Sequence, residues 1–179
     1  MKMLIRHTLQ FLGAAFLASC SSPKSLGLDA QAYPAGIIST ARADWSLQED
    51  RSLSIHAGYN VTERDDFGEH EDESGAGPGL GISARQYFGE QQSGWFAGGR
   101  LDLWWLDIDW EDQPPSSGQT DVVVLQPTAQ GGYRWVPANS AWSVDLYAAG
   151  GLEINVSTSG EDVGEGAIGL IGLGVGYSF

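Results

Sequence analysis

The chain has 179 residues and carries 23 Asp and Glu against 9 Lys and Arg, a formal charge of −14 at pH 7 with a pI near 4.3. A length of this order suits a single domain. So acidic a surface is unsuited to neutralising phosphates, which argues against nucleic-acid binding, and the lack of any run of eighteen or more apolar residues leaves no transmembrane helix to consider.

Residues 1–19 read as a secretory signal. Lys2, Arg6 and His7 precede an apolar stretch at 9–17 that is too short to cross a bilayer as a helix. Its removal takes away Lys2 and Arg6, moves the charge to about −16 and leaves about 160 residues. Leu17-Ala18-Ser19-Cys20 has the form of a lipobox, which makes Cys20 the first mature residue and a lipidation site. Cys20 is the only cysteine, so no intramolecular disulfide can form. Residues 20–25 are then a short linker and 26–179 one domain.

Within that domain the hydrophobic pattern has period two. Residues 26–33 are expected as a short first strand that turns at Pro34-Ala35-Gly36. In the next segments Ala41, Ala43 and Trp45 oppose Arg42 and Asp44, and Leu53, Ile55, Ala57, Tyr59 and Val61 oppose Ser54, His56 and Asn60. Residues 80–88 alternate about Arg85. The segment 95–110 starts with Trp95, Ala97, Leu101, Leu103 and Trp105 opposite Arg100 and Asp102, and its pattern then changes phase, with Leu106, Ile108 and Trp110 as the apolar set. A β-bulge near Trp105 would produce that change. Residues 123–135 set Leu125, Pro127, Ala129 and Tyr133 against Gln126, Gln130 and Arg134, and 142–156 set Leu146, Ala148 and Leu152 against Asp145, Tyr147 and Glu153. The last strand, 167–179, alternates apolar residues with Gly as far as Tyr177-Ser178-Phe179.

The connections at 47–50, 89–93 and 136–140 are short, whereas those at 63–77, 111–120 and 157–166 are long. Short and long alternate as periplasmic turns and extracellular loops do in an outer-membrane barrel. Trp45, Phe88, Trp95, Trp135, Trp142 and Phe179 then fall at the short-turn end, and Trp105 and Trp110 near the other, as two aromatic belts.

With these strands, the segment 79–88 and the terminal Tyr177-Ser178-Phe179, the chain resembles the small eight-stranded bacterial outer-membrane β-barrel family. The resemblance implies an all-β, eight-stranded antiparallel up-and-down transmembrane barrel with both termini in the periplasm. It also implies contact with outer-membrane lipids, and Tyr177 and Phe179 as part of the signal read by the barrel assembly machinery. The lipobox departs from the usual leader of that family. Its members include structural proteins, adhesins, resistance factors and a few lipid-modifying enzymes, so the resemblance specifies fold more sharply than activity.

An eight-stranded barrel has room inside for side chains and little else. Matching polar faces sets Arg42 opposite His56 and Asp44 opposite Ser54, and brings Asp145 within a diagonal step of Arg134. With Arg85, Arg100, Asp102 and Glu153 these are expected to form a packed polar lumen of paired charges. Asp44, His56 and Ser54 are residue types of hydrolytic triads. Nothing supplies an oxyanion site, however, so His56 is expected to be structural and satisfied by Asp44. The acidic run from Glu63 to Glu73, with Asp107, Asp109, Glu111, Asp112, Glu161, Asp162 and Glu165, could bind a divalent cation weakly at the loop end. Asp107 to Asp112 superficially resembles a calcium loop, but Asp112 stands where that motif needs Gly. No catalytic residue, cofactor site or metal ligand set is assigned.

The expected function is therefore a small, closed, monomeric outer-membrane barrel, structural or surface-interacting and non-catalytic. A lipid-modifying outer-membrane enzyme and a soluble lipocalin-like lipoprotein holding an apolar ligand are the alternatives. Alternation alone does not say which face is inside; the belts, the loop asymmetry and Phe179 favour apolar residues outward.

Overall fold

Period-two alternation is realised as eight strands in the computed structural model, which describes residues 22–65, 68–112 and 116–179. The leader and Cys20 lie outside the described residues. The strands are β1 (Ser25–Tyr33), β2 (Gly36–Gln48), β3 (Arg51–Asp65), β4 (Asp72–Tyr87), β5 (Gly94–Asp112), β6 (Ser116–Trp135), β7 (Trp142–Ser159) and β8 (Gly166–Ser178). Each pairs antiparallel with its sequence neighbour, and β1 closes on β8 from Ser25 opposite Ser178 to Ala32 opposite Ile171. Closure leaves no edge within the part common to all eight strands; above it β3 beyond Thr62 and β7 beyond Glu153 are paired on one side only.

The β1–β2 turn at Pro34-Ala35 is tight because Gly36 takes φ 155°, and a Cβ there would run into the Val61 carbonyl. Strand lengths differ widely. β1 has 9 residues and matches the ~9–11 needed for a tilted span of the bilayer, whereas β5 has 19 and β6 has 20. The long strands stand up on the side opposite the short turns. Segments expected as long loops are consequently mostly strand. Thr62 pairs with Gly75, Arg64 with Glu73 and Asp65 with Asp72, which leaves connections at only 66–71, 113–115 and 160–165.

The expected bulge near Trp105 is absent. The β4–β5 pairing keeps one register from Tyr87 opposite Phe96 to Asp72 opposite Glu111, and β5–β6 likewise from Gly94 opposite Arg134 to Asp112 opposite Ser116. Leu106 and Ile108 are buried in the lumen while Asp107 and Asp109 face out. Strand phase is constant. It is the surroundings of the outer face that change, from an apolar band below to acidic residues above. The one irregularity in this part of the sheet lies instead between β6 and β7, where the register shifts between Val123 and Val124 and leaves Val156 as the extra residue.

Candidate functional site

Inward positions stack in layers along the barrel axis. At the short-turn end Tyr87, Phe96 and Tyr147 form an aromatic floor, with the Arg85 guanidinium 4.5 Å from the Phe96 ring centre and the Arg134 guanidinium 5.0 Å from that of Tyr87. Asp145, fully buried, is the hub of the charges around it. It accepts from Arg134 at 2.6 and 2.8 Å, and from Arg42 and Arg85 at 2.8 Å each. Arg42 also contacts Asp29 at 3.0 Å and Asp44 at 3.3 Å, and Asp44 accepts a further bond from Ser25. Five charges of the expected network, Arg42, Asp44, Arg85, Arg134 and Asp145, therefore converge, with Asp29 as a member the sequence reading missed. Asp29 and Gln31 share a face of β1 against Leu28 and Ala30, which was the available signal.

The middle layer holds Arg100 bonded to Asp102 at 2.6 Å along one strand, and Trp104 donating to Gln126 at 2.6 Å. Arg42 does stand opposite His56, and Asp44 opposite Ser54. The expectation that Asp44 satisfies His56 is nevertheless wrong. His56 Nε2 lies 2.8 Å from Ser83 Oγ, because the Asp44 carboxylate is turned to Arg42 and Ser25. No Asp–His–Ser relay is assembled.

Above this layer the lumen is mainly apolar, although Asn60, opposite Ile38, and Thr120, opposite Ile108, are buried there too. Ile38, Trp104, Leu106, Ile108, Val122, Val124, Ile168 and Leu170 form an apolar plug, joined by Tyr33 and by Val163 from the β7–β8 connection. This corrects the expectation of a wholly polar interior. Glu153 accordingly does not join the Asp145 cluster; it bonds Arg64 at 3.0 Å above the plug.

A cap closes the top. The Glu73 carboxylate, 1% exposed, accepts from the backbone N–H groups of Glu69, His70 and Gly164 and from Arg64, tying the β3–β4 and β7–β8 connections together. His70 stacks on Trp110, with ring centres 4.2 Å apart and planes 11° apart, so Trp110 belongs to the cap and not to an outer belt. His70 Nδ1 lies 2.7 Å from Asp112 Oδ2, and Nε2 lies 2.9 Å from the Asp162 carbonyl. Both partners only accept, and both ring nitrogens can donate at once only in the imidazolium form. Burial pushes the His70 pKa down, but the bond to Asp112, the charge of that carboxylate, the Asp162 carbonyl and the charge of Glu73 outweigh it and hold it above the ordinary value. The Asp112 carboxyl is held below its ordinary value, first by the His70 bond and then by the Glu71 N–H. Among the described residues no group of three or more His, Cys, Asp or Glu is arranged to hold a metal ion.

The outer wall inverts the lumen. Leu28, Ile37, Ile82, Leu146 and Ile171 are more than half exposed, and no charged side chain faces outward between Arg51 at one rim and Glu63, Asp107 and Asp121 at the other. Phe88, Trp95, Trp135 and Trp142 ring the short-turn end. Tyr177 packs edge-on to Trp142 at 5.0 Å, and Phe179 follows it, exposed, with its N–H on the Lys24 carbonyl.

Closed topology, a filled lumen and an apolar exterior define an all-β, eight-stranded, up-and-down antiparallel barrel. Neither a protein-family model nor a curated protein matches the chain. Two solved structures share the fold. The crystal structure of Neisserial surface protein A (NspA) aligns with TM-score 0.53 at 14% identity, covering 87% of this chain and 94% of that one. That of the N-terminal β-barrel domain of Pseudomonas aeruginosa OprF aligns with TM-score 0.50 at 16% identity, covering 89% and 100%.

Proposed function

We propose that the chain is a small, closed, integral outer-membrane β-barrel with a structural or surface-interacting role and no catalytic activity. The observation that carries this reading is the charge-free apolar band around the whole outer wall. Exposed apolar area of that extent is incompatible with a monomer in water and is what a bilayer requires of a barrel. The same observation disfavours the lipocalin-like alternative, whose apolar residues would face inward. The lipid-modifying alternative lacks support because His56, Ser54 and Asp44 make no relay and the apolar plug fills the lumen where a substrate tail would enter.

In this reading the short turns, the start of β1 and the end of β8 face the periplasm, and the cap faces outward. The barrel assembly machinery would read the strand ending in Tyr177 and Phe179, and the protein would be a monomer with Cys20 acylated at the mature end of the linker. The acidic rim would attract cations only diffusely. Fractionation with surface proteolysis of intact cells tests localisation and orientation together. The protein is expected in the outer-membrane fraction, heat-modifiable on a gel, and cut only in the 66–71, 113–115 and 160–165 connections. Recovery as a soluble protein without detergent would overturn the reading.

A further inference from the structure

On the outer wall the cross-strand row Ala84, Gly99, Ala129 and Gly150, in direct register from β4 to β7, carries almost no side chain. Leu53, Ile82, Leu101, Pro127 and Leu152 flank the row. Together they leave an open apolar groove of about 950 Å³ that descends to Arg51 and Gln86 at the short-turn rim, a volume at the upper end of the ~300–1,000 Å³ usual for small-molecule sites. From Ile82 to Gln86 the strand covers about 13 Å, or about 10 Å along the normal at a tilt of about 35–45°, within the roughly 15 Å of hydrocarbon in one leaflet.

The packing of the barrel does not require these glycines. A Cβ added at Gly99 or Gly150 would meet only a backbone oxygen at 3.8 Å, whereas at the inward Gly79 it would run into the Trp104 indole. Glycine weakens a strand and is characteristic of sites where something approaches the backbone closely.

Charge indicates its head. Of the Lys and Arg among the described residues, Arg42, Arg64, Arg85, Arg100 and Arg134 are buried in the lumen. Only Lys24 and Arg51 remain exposed, both at the short-turn rim. Arg51 Nε donates to Gln86 Oε1 at 2.7 Å, and the Gln86 amide donates in turn to the Asp50 carboxylate at 2.7 Å. The guanidinium is thus held at the mouth of the groove by Gln86, whose amide in turn takes up the Asp50 carboxylate.

We propose that this groove seats an acyl chain of an anionic glycerophospholipid of the periplasmic leaflet, with its phosphate on the Arg51 guanidinium. The proposal rests on the membrane reading above and adds to it a defined site and headgroup charge.

The test is native mass spectrometry of the full chain released from nanodiscs of equal parts phosphatidylethanolamine and phosphatidylglycerol. Wild type is expected to retain one phosphatidylglycerol. Gly99→Leu and Gly150→Leu, whose Cβ meets nothing closer than a backbone oxygen at 3.8 Å, put a side chain into the groove and are expected to lose it, while Arg51→Gln is expected to lose the preference between the two lipids. Should one leucine variant fail to give a heat-modifiable barrel, the other and Arg51→Gln decide. The proposal is overturned if wild type retains no lipid or retains both without preference, or if Gly99→Leu carries as much phosphatidylglycerol as wild type. A wild-type dimer that Gly99→Leu dissociates would equally overturn it and assign the groove to a second copy. A protein that never enters the nanodiscs and stays soluble without detergent would instead contradict the membrane reading itself.

Discussion

Arg134 Nε donates to Asp145 Oδ1 at 2.6 Å from the directly opposed position on the neighbouring strand. The same carboxylate also takes Arg42 and Arg85, so one buried anion holds three guanidinium groups from β2, β4 and β6. Removing it leaves three buried cations short of a partner. Asp145→Asn is expected to cost about 3–5 kcal/mol of barrel stability, read as a lower urea midpoint in detergent micelles or vesicles. Gln130→Asn, which shortens the acceptor of a 3.2 Å bond from Arg85 Nη2, should lower the midpoint less, at a cost of about 1 kcal/mol.

Face assignment predicts a different kind of loss. Leu146 is 60% exposed on the outer wall, and Leu146→Arg is expected to cost about 2–4 kcal/mol at mid-bilayer depth. Equal effects of Leu146→Arg and Gln130→Asn would refute the apolar-outward orientation.

The plug predicts electrical silence. Leu106, Ile108, Val122, Val124, Ile168 and Leu170 fill the lumen above the charged layers, so purified protein in a planar bilayer should show no steady porin-like conductance. A large, stable conductance in preparations free of contaminating porins would contradict the filled lumen.

At the cap, pH acts through His70. Its folded pKa is raised above the ordinary 6.5, so the stabilisation it contributes is fully present below about 6.5 and is lost as pH rises through the higher folded value. Asp112 has the opposite sign. Its folded pKa lies below 3.8, so its contribution is present above that value and is lost only as pH falls through the lower folded one. Hydrogen exchange at the Glu71 and Gly164 amides should therefore quicken on raising pH from 6 to 9 beyond its intrinsic acceleration. His70→Gln should remove that excess and leave the barrel amides unaffected.

The lipobox predicts that mass spectrometry of the mature protein finds an acylated N-terminus at Cys20, and that Cys20→Ser lacks the acyl chains yet still inserts. An N-terminus at any other residue would end the lipoprotein assignment without touching the barrel.

What could be read from the residues alone follows from where alternation has one meaning. Matching polar faces across a tight turn placed Arg42 against His56 and Asp44 against Ser54, because strand register there admits few choices. The same reasoning could not choose among neighbours in three dimensions, so the partner of His56 proved to be Ser83 on the next strand. Arg64 and Glu73 were hidden in a run whose acidity reads as loop, although they are paired strand residues that close the cap. Leu106 and Ile108 were misread for a deeper reason. A bulge and an exit from the bilayer leave the same imprint, since both exchange which parity is greasy, and only the register of β4 and β6 distinguishes them.

On the membrane reading proposed above, the uneven strand lengths make this chain two structures in two solvents. β1 ends where the apolar band ends, but β5 and β6 continue for about as many residues again, into a half-collar of paired strands bathed in water. The lower part answers to the thickness and tension of the bilayer; the collar answers to protons and ionic strength. Each could therefore loosen without the other, and on the proposed orientation a change in the medium outside the cell would reshape what the protein displays while its anchorage stayed as it was.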